Sequence, residues 1–170
     1  EYIYRETNPF YYRSRLDYAL KNTKIEVAIE FTNKKENNLG IAIPKGVIRS
    51  YKYDSDNSLQ FIGENLIDHT PKNEKISIIV GNAFDIVGQR KQMEWNKIAS
   101  NIYESSYEIT LKNHKKHDIV VKVVENIPGS WKMLKSSQEY IKFDSSTVHY
   151  FIPVKKDGES KLQYTVRIEY

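Results

Sequence analysis

The residues best suited to acid–base chemistry lie in and around Ile67–Arg90, which reads IDHTPKNEKISIIVGNAFDIVGQR. His69 can act as a base near neutral pH, Asp85 can orient it, and Arg90 can clamp an anion. Thr70 offers a hydroxyl nucleophile, and Glu64 a second carboxylate. The competing reading is structural. Asp68 caps its own turn and Pro71 fixes the backbone, so DHTPKNE is turn chemistry. Asp85 and Arg90 lie across a strand junction, where an ion pair between them would fix an angle. No Gly-x-Ser-x-Gly elbow occurs anywhere in the chain. The segment therefore reads as a structural junction, and no catalytic residue is assigned. In this reading Ile76, Ile78 and Val80 enter a first core. Gly81 turns the chain, and Phe84 and Ile86 carry it toward the second half, where burial of the Phe84 ring in a core would matter.

Other residues allow other chemistry. HKKHD, His114 to Asp118, places two histidines three apart beside a carboxylate, which is metal-ligand chemistry. Two ligands in a hairpin loop make a poor site, and His149 lies on a later strand. No metal and no cofactor is expected. Trp95 and Trp131 offer flat faces to sugars. Trp131, opening a strand after a Pro-Gly turn, reads as core. Trp95, among Lys91, Glu94 and Lys97, reads as more exposed and open to a binding role. The glycine of IPKG, Ile43–Gly46, is too isolated to cradle a phosphate.

Composition narrows the classes. The chain has 170 residues, 39% hydrophobic and 28% charged, which suits a folded globular chain. It contains no cysteine, so disulfides, thiolate catalysis and cysteine-ligated zinc are excluded. No apolar run approaches the roughly 20 residues that a membrane-spanning helix needs. The net charge is +4, carried by residues 86–170, where 14 Lys and Arg face 10 Asp and Glu. Lysine pairs at Lys34–Lys35, Lys115–Lys116 and Lys155–Lys156 fall in turns, where they keep strand edges soluble. That pattern argues against nucleic-acid binding. The chain opens on Glu1 without a methionine, so we read it as a piece of a larger protein.

These residues must be positioned by strands, because the dominant pattern is period two. In LQYTVRIEY, Leu162, Tyr164, Val166, Ile168 and Tyr170 alternate with polar residues. KIEVAIEFT and SYEITLKN alternate likewise, and IVVKVVENI and TVHYFIPV read as more buried strands. Turn clusters such as TNKKENN, DSDN and KKDGE separate them. The spacing predicts an all-β protein, an antiparallel Ig-like β-sandwich. A faint internal echo suggests two small sandwich-like halves, 1–84 and 85–170, joined through a long strand in Ala83–Ser106 with a break near Ala99–Asn101. PFYYRSRLDYALKN fits either a strand or a short helix.

Three runs carry a family resemblance: LGIAIPKGVIRSYKYD, then LQFIGENLIDHTPKNEKISIIVGNAFDIVGQRKQ, then YEITLKNHKKHDIVVKVVENIPGSWKMLKSS. In that order they resemble a bacterial family, the domain of unknown function 4139 of mucoidy-inhibitor-like proteins, from about Tyr11 to Tyr170. The family often has a glycine before the SLQF strand, where this chain has Asn57; Asn also tolerates positive φ. The resemblance implies a β-rich fold, no established enzymatic activity and a place in a larger, often exported protein.

The expected function is therefore non-enzymatic. The chain reads as a structural or protein-interaction module whose partner is another protein or the rest of the parent chain. A cell-envelope, periplasmic or extracellular setting is preferred to the cytoplasm. The alternatives are a hydrolase of cell-envelope polymer using His69 with Asp85 or Glu64, and a carbohydrate-binding module using Trp95 and surface tyrosines.

Overall fold

The computed structural model describes residues 1–5 and 24–170. PFYYRSRLDYALKN lies outside these residues. The described chain forms strands β1 (Tyr2–Arg5), β2 (Ile25–Thr32), β3 (Gly46–Tyr53), β4 (Leu59–Ile67), β5 (Lys75–Ala83) and β6 (Ile86–Lys97). It continues as β7 (Ile102–Asn113), β8 (Ile119–Asn126), β9 (Ser130–Ser136), β10 (Ile141–Lys142), β11 (Thr147–Val154) and β12 (Gly158–Glu169). Among the described residues the only helical piece is a 3-10 turn at Lys35–Asn37. No helix there is long and apolar enough to cross a membrane. The protein is all-β: β10–β11, β11–β8, β12–β7, β12–β9, β3–β4 and β6–β7 pair antiparallel, and β1 pairs parallel with β8.

The described residues cluster into two compact units. One holds Glu1 and Glu26–Asn82, the other residues 2–5, 24, 25 and Ala83–Tyr170. The division falls at Asn82/Ala83, and β1 clusters with the second unit.

The second unit is sandwich-like. One sheet runs β6-β7-β12-β9, and a second set of strands runs β10-β11-β8-β1. Alternation decides which side chains meet between them. Tyr107, Ile109 and Leu111 of β7 and Leu162, Tyr164, Val166 and Ile168 of β12 point inward. They join one apolar cluster with Tyr4, Val121, Val123, Val148, Tyr150, Ile152 and Val154 from the facing strands. Each fully buried aliphatic or aromatic side chain of this kind stabilises the fold by about 1.5–3 kcal/mol. Gly88 is buried on β6, and a Cβ there would overlap the Tyr4 ring. The close approach is what lets that ring fill the core.

Ala83–Ser106 is not one long joining strand. The chain breaks at Ile98–Asn101, as its composition suggests, but there it reverses. Ile98 N–H donates to Ile102 O at 2.9 Å, and β6 pairs with β7 along its length. A bulge between Gln92 and Glu94 shifts the register, so Met93 falls outside the alternation.

In the first unit β2 neighbours β5, and β3 and β4 form a ribbon. The DSDN turn closes this ribbon with Asn57 at φ 63°, so asparagine does hold the left-handed position there. Ile76 and Ile78 are buried, as their spacing predicts. Phe84 is the correction: it is fully exposed. It lies between β5 and β6, where the chain turns, so the parity it shares with Ile86 does not aim it into a core.

Candidate functional site

The turn at Ile67–Asn73 is built from backbone pairing. Ile43 and Thr70 exchange two N–H to O bonds of 2.9 Å each. Asn33, fully buried, holds the turn from behind. Its amide donates to Ile41 O at 2.6 Å and Pro71 O at 2.9 Å, and its Oδ1 accepts from Gly40 N–H. Asp68 caps the turn by accepting from His69 N–H at 2.8 Å, and the Thr70 hydroxyl donates to Asp68 O. The His69 Nδ1 accepts a long bond from Lys45 N–H, 3.3 Å. Thr70 therefore has its hydroxyl committed to a carbonyl, with no base on it. Glu64 sits on β4 and pairs across the ribbon with Arg49, Nε to Oε2 at 3.2 Å.

Asp85 and Arg90 do not pair with each other. Asp85 takes the Lys115 ammonium at 2.6 Å, from the HKKHD loop. The bond to Lys115 holds the Asp85 carboxyl below its ordinary range, and the same bond holds the Lys115 amine above its own. Arg90 points the opposite way, into the core, because it shares the inward parity of Ile86 and Gly88. There it grips Glu125 with two bonds of 3.1 Å, Nε to Oε1 and Nη2 to Oε2. The Tyr164 hydroxyl accepts from Arg90 at 3.0 Å and donates to Glu125 at 2.8 Å. The guanidinium lies 3.7 Å from the centroid of the Tyr107 ring. Gln92 donates to Ser105 Oγ and Tyr107 OH beside it. A charged pair this deep needs close partners of this kind to offset its desolvation. Both side chains are shut from solvent, at 1% and 2% exposure, so the group can brace strands but cannot meet a substrate.

The remaining candidates resolve similarly. Asp118 of HKKHD pairs with Lys155 at 2.7 Å and accepts from Lys156 N–H. Among the described residues no group of three His, Cys, Asp or Glu side chains could hold a metal. His149 stacks on Phe143, with centroids 4.6 Å apart. Trp95 is half-buried, 5.6 Å from the Tyr103 ring and tilted against it. Trp131 is at the margin of the core rather than its centre. Its indole N–H donates to Ser145 O at 2.8 Å, and the Lys142 ammonium lies 4.7 Å from its ring. A shallow cleft of about 450 Å³ runs beside Met93, Glu94, Lys135 and Ser137. The hydroxyls at its floor, Ser106 and Thr165, are bonded to each other at 2.8 Å.

No family model, no curated protein and no solved structure matches this chain. Its chemistry must be judged from its own residues.

Three features escaped the sequence reading. Asn33 looks like an ordinary turn residue and Glu125 like an ordinary polar residue near a strand end, and only their partners in the fold make them important. The third is the outward face of the β3–β4 ribbon. Val47, Tyr51, Tyr53, Leu59, Phe61 and Leu66 are each more than half exposed there. Period two fails to reveal this face because β4 carries a bulge opposite Ser50/Tyr51, which shifts Phe61 and Leu59 onto the face that holds Glu64 and Leu66. The lone Gly63 inside the strand pattern is the signal that marks it.

Proposed function

We propose that this chain is a non-enzymatic, Ig-like structural or protein-interaction module of a larger bacterial envelope-associated protein. The observation that carries the reading is the exposed apolar face of the β3–β4 ribbon. Six large apolar side chains, each over half exposed, stand on one face of a strand pair whose other side is only partly covered. Such contiguous apolar faces mark surfaces that other molecules occlude. The titratable candidates give the counterweight. Glu64, Asp85 and Arg90 are each held in an ion pair. The His69 imidazole accepts one long bond, from the Lys45 backbone N–H. Placement in the envelope, and membership of the domain-of-unknown-function 4139 family, rest on the resemblance of the quoted runs.

Hydrolysis assays on peptidoglycan and envelope polysaccharides test the reading. The expected outcome is no turnover by the chain or by His69→Ala. A robust metal-independent activity lost in His69→Ala overturns it and restores the hydrolase.

A further inference from the structure

We propose that the outward face of the β3–β4 ribbon is a self-complementary dimer surface, and that its occupant is a second copy of this chain. The proposal rests on the interaction-module reading and names the partner.

The register defines the face. Val47 stands opposite Leu66, Arg49 opposite Glu64, Tyr51 opposite Phe61 and Tyr53 opposite Leu59. Residues directly opposite in an antiparallel pair share a face, so these eight side chains form four rows. All eight are more than half exposed. The bulge opposite Ser50/Tyr51 keeps the fourfold ladder on one side, by skipping one β4 residue between Glu64 and Phe61. The back of the ribbon is partly taken, around Gly63 and Asn65. Asn65 exchanges bonds of 2.6 and 3.0 Å with the Ile79 backbone, and a Cβ on Gly63 would come within 3.2 Å of Val80 O. The apolar rows lie on the other face and point outward.

The charge pattern selects the occupant. Three rows are apolar on both strands, and the fourth is one cation beside one anion. A two-fold axis laid along the ribbon, between its strands, turns β3 of one copy onto β4 of the other. Every row then meets its own complement. Arg49 meets Glu64 of the second copy, and Glu64 meets its Arg49. Tyr51 lies on Phe61, Val47 on Leu66 and Tyr53 on Leu59, each contact made twice. This is the requirement of an isologous interface, in which residue i touches j and j touches i. The face is also neutral on a chain of net charge +4, so two like-charged copies meet there without repulsion. A strongly charged partner would find no matching surplus on it. Aromatic rows beside an arginine have the composition of interface cores.

Sedimentation of the 170-residue chain tests the proposal with Arg49→Glu, Glu64→Arg and Phe61→Ser. Circular dichroism and melting curves confirm that each variant folds. The wild type should self-associate as a dimer. Arg49→Glu sets two carboxylates against two, and Glu64→Arg two cations against two, so each alone should dimerise about tenfold or more less tightly. Mixed in equal amounts, the two single variants should form a heterodimer, because each row again meets its opposite. Recovery on mixing cannot come from repair of the pair within one chain. Phe61→Ser should weaken every combination. A wild-type chain that remains monomeric at high micromolar concentration overturns the proposal. So does a dimer indifferent to Phe61→Ser, or a mixture that fails to re-associate. Failure here leaves the non-enzymatic reading standing, because only turnover in the hydrolysis assays removes that.

Discussion

Arg90 shows how little a residue's type says about its role. A surface arginine can clamp an anion, but this one is fully buried and spends its guanidinium on Glu125, Tyr164 and the face of Tyr107. Removing only one partner leaves a charge stranded in the core. Glu125→Ala should therefore destabilise by about 3–5 kcal/mol, measured by urea denaturation. Replacing both, as Arg90→Met with Glu125→Leu, should recover most of that loss, because well-packed apolar side chains replace a desolvated pair at little cost. Phe84 makes the reverse point. Its ring is wholly exposed, so Phe84→Ala should change stability by no more than about 0.5 kcal/mol in the same experiment. A loss of about 3–5 kcal/mol would be the mark of a ring in a core.

The strands are the level at which the sequence was most legible, and bulges are where legibility stopped. β12 keeps one register with β7 from Gly158 to Glu169, and its inward residues are those that period two selects. β6 and β4 each carry a bulge, and beyond it the same alternation points the other way. That is why the β3–β4 face could not be read from the sequence. Partner choice was equally hidden: nothing local tells Arg90 that its carboxylate lies 35 residues on, or Asp85 that its lysine lies 30 on. Of the candidate site, the turn nature of DHTPKNE was legible, because Asp68 and Pro71 act on their immediate neighbours. At this same scale Gly88 is a packing residue of β6. It lies against the Tyr4 and Ile25 side chains, so Gly88→Ala should cost about 1–3 kcal/mol by overpacking, read as a lower denaturation midpoint. An unchanged midpoint would show that the Tyr4 ring moves aside freely.

For the molecule as a whole, surface carboxylates give stability a direction on the pH axis. Asp85 and Asp118 are held below their ordinary range by Lys115 and Lys155, and Asp56 and Asp144 by bonds with Ser58 and Ser146. A depressed carboxyl contributes stability that is present above its unfolded value, here 3.8, and is lost as pH falls through the folded one. The melting temperature should thus fall on acidification below about pH 4, and Lys115→Met should flatten part of that fall. No flattening would mean that the Asp85–Lys115 pair adds nothing. The order of the β6-β7-β12-β9 sheet also fixes a history. β12 comes after both of its neighbours in the sequence, yet it lies between them. While the chain is being made, β7 and β9 emerge with open edges and no common neighbour, and the residues that will pair beside Tyr107 and Ile109 are still inside the ribosome. The sheet therefore closes from its middle, last, by insertion of a single strand. A ribosome stalled before Gly158 would hold two separated strand edges, ready to pair with whatever extended chain reaches them first.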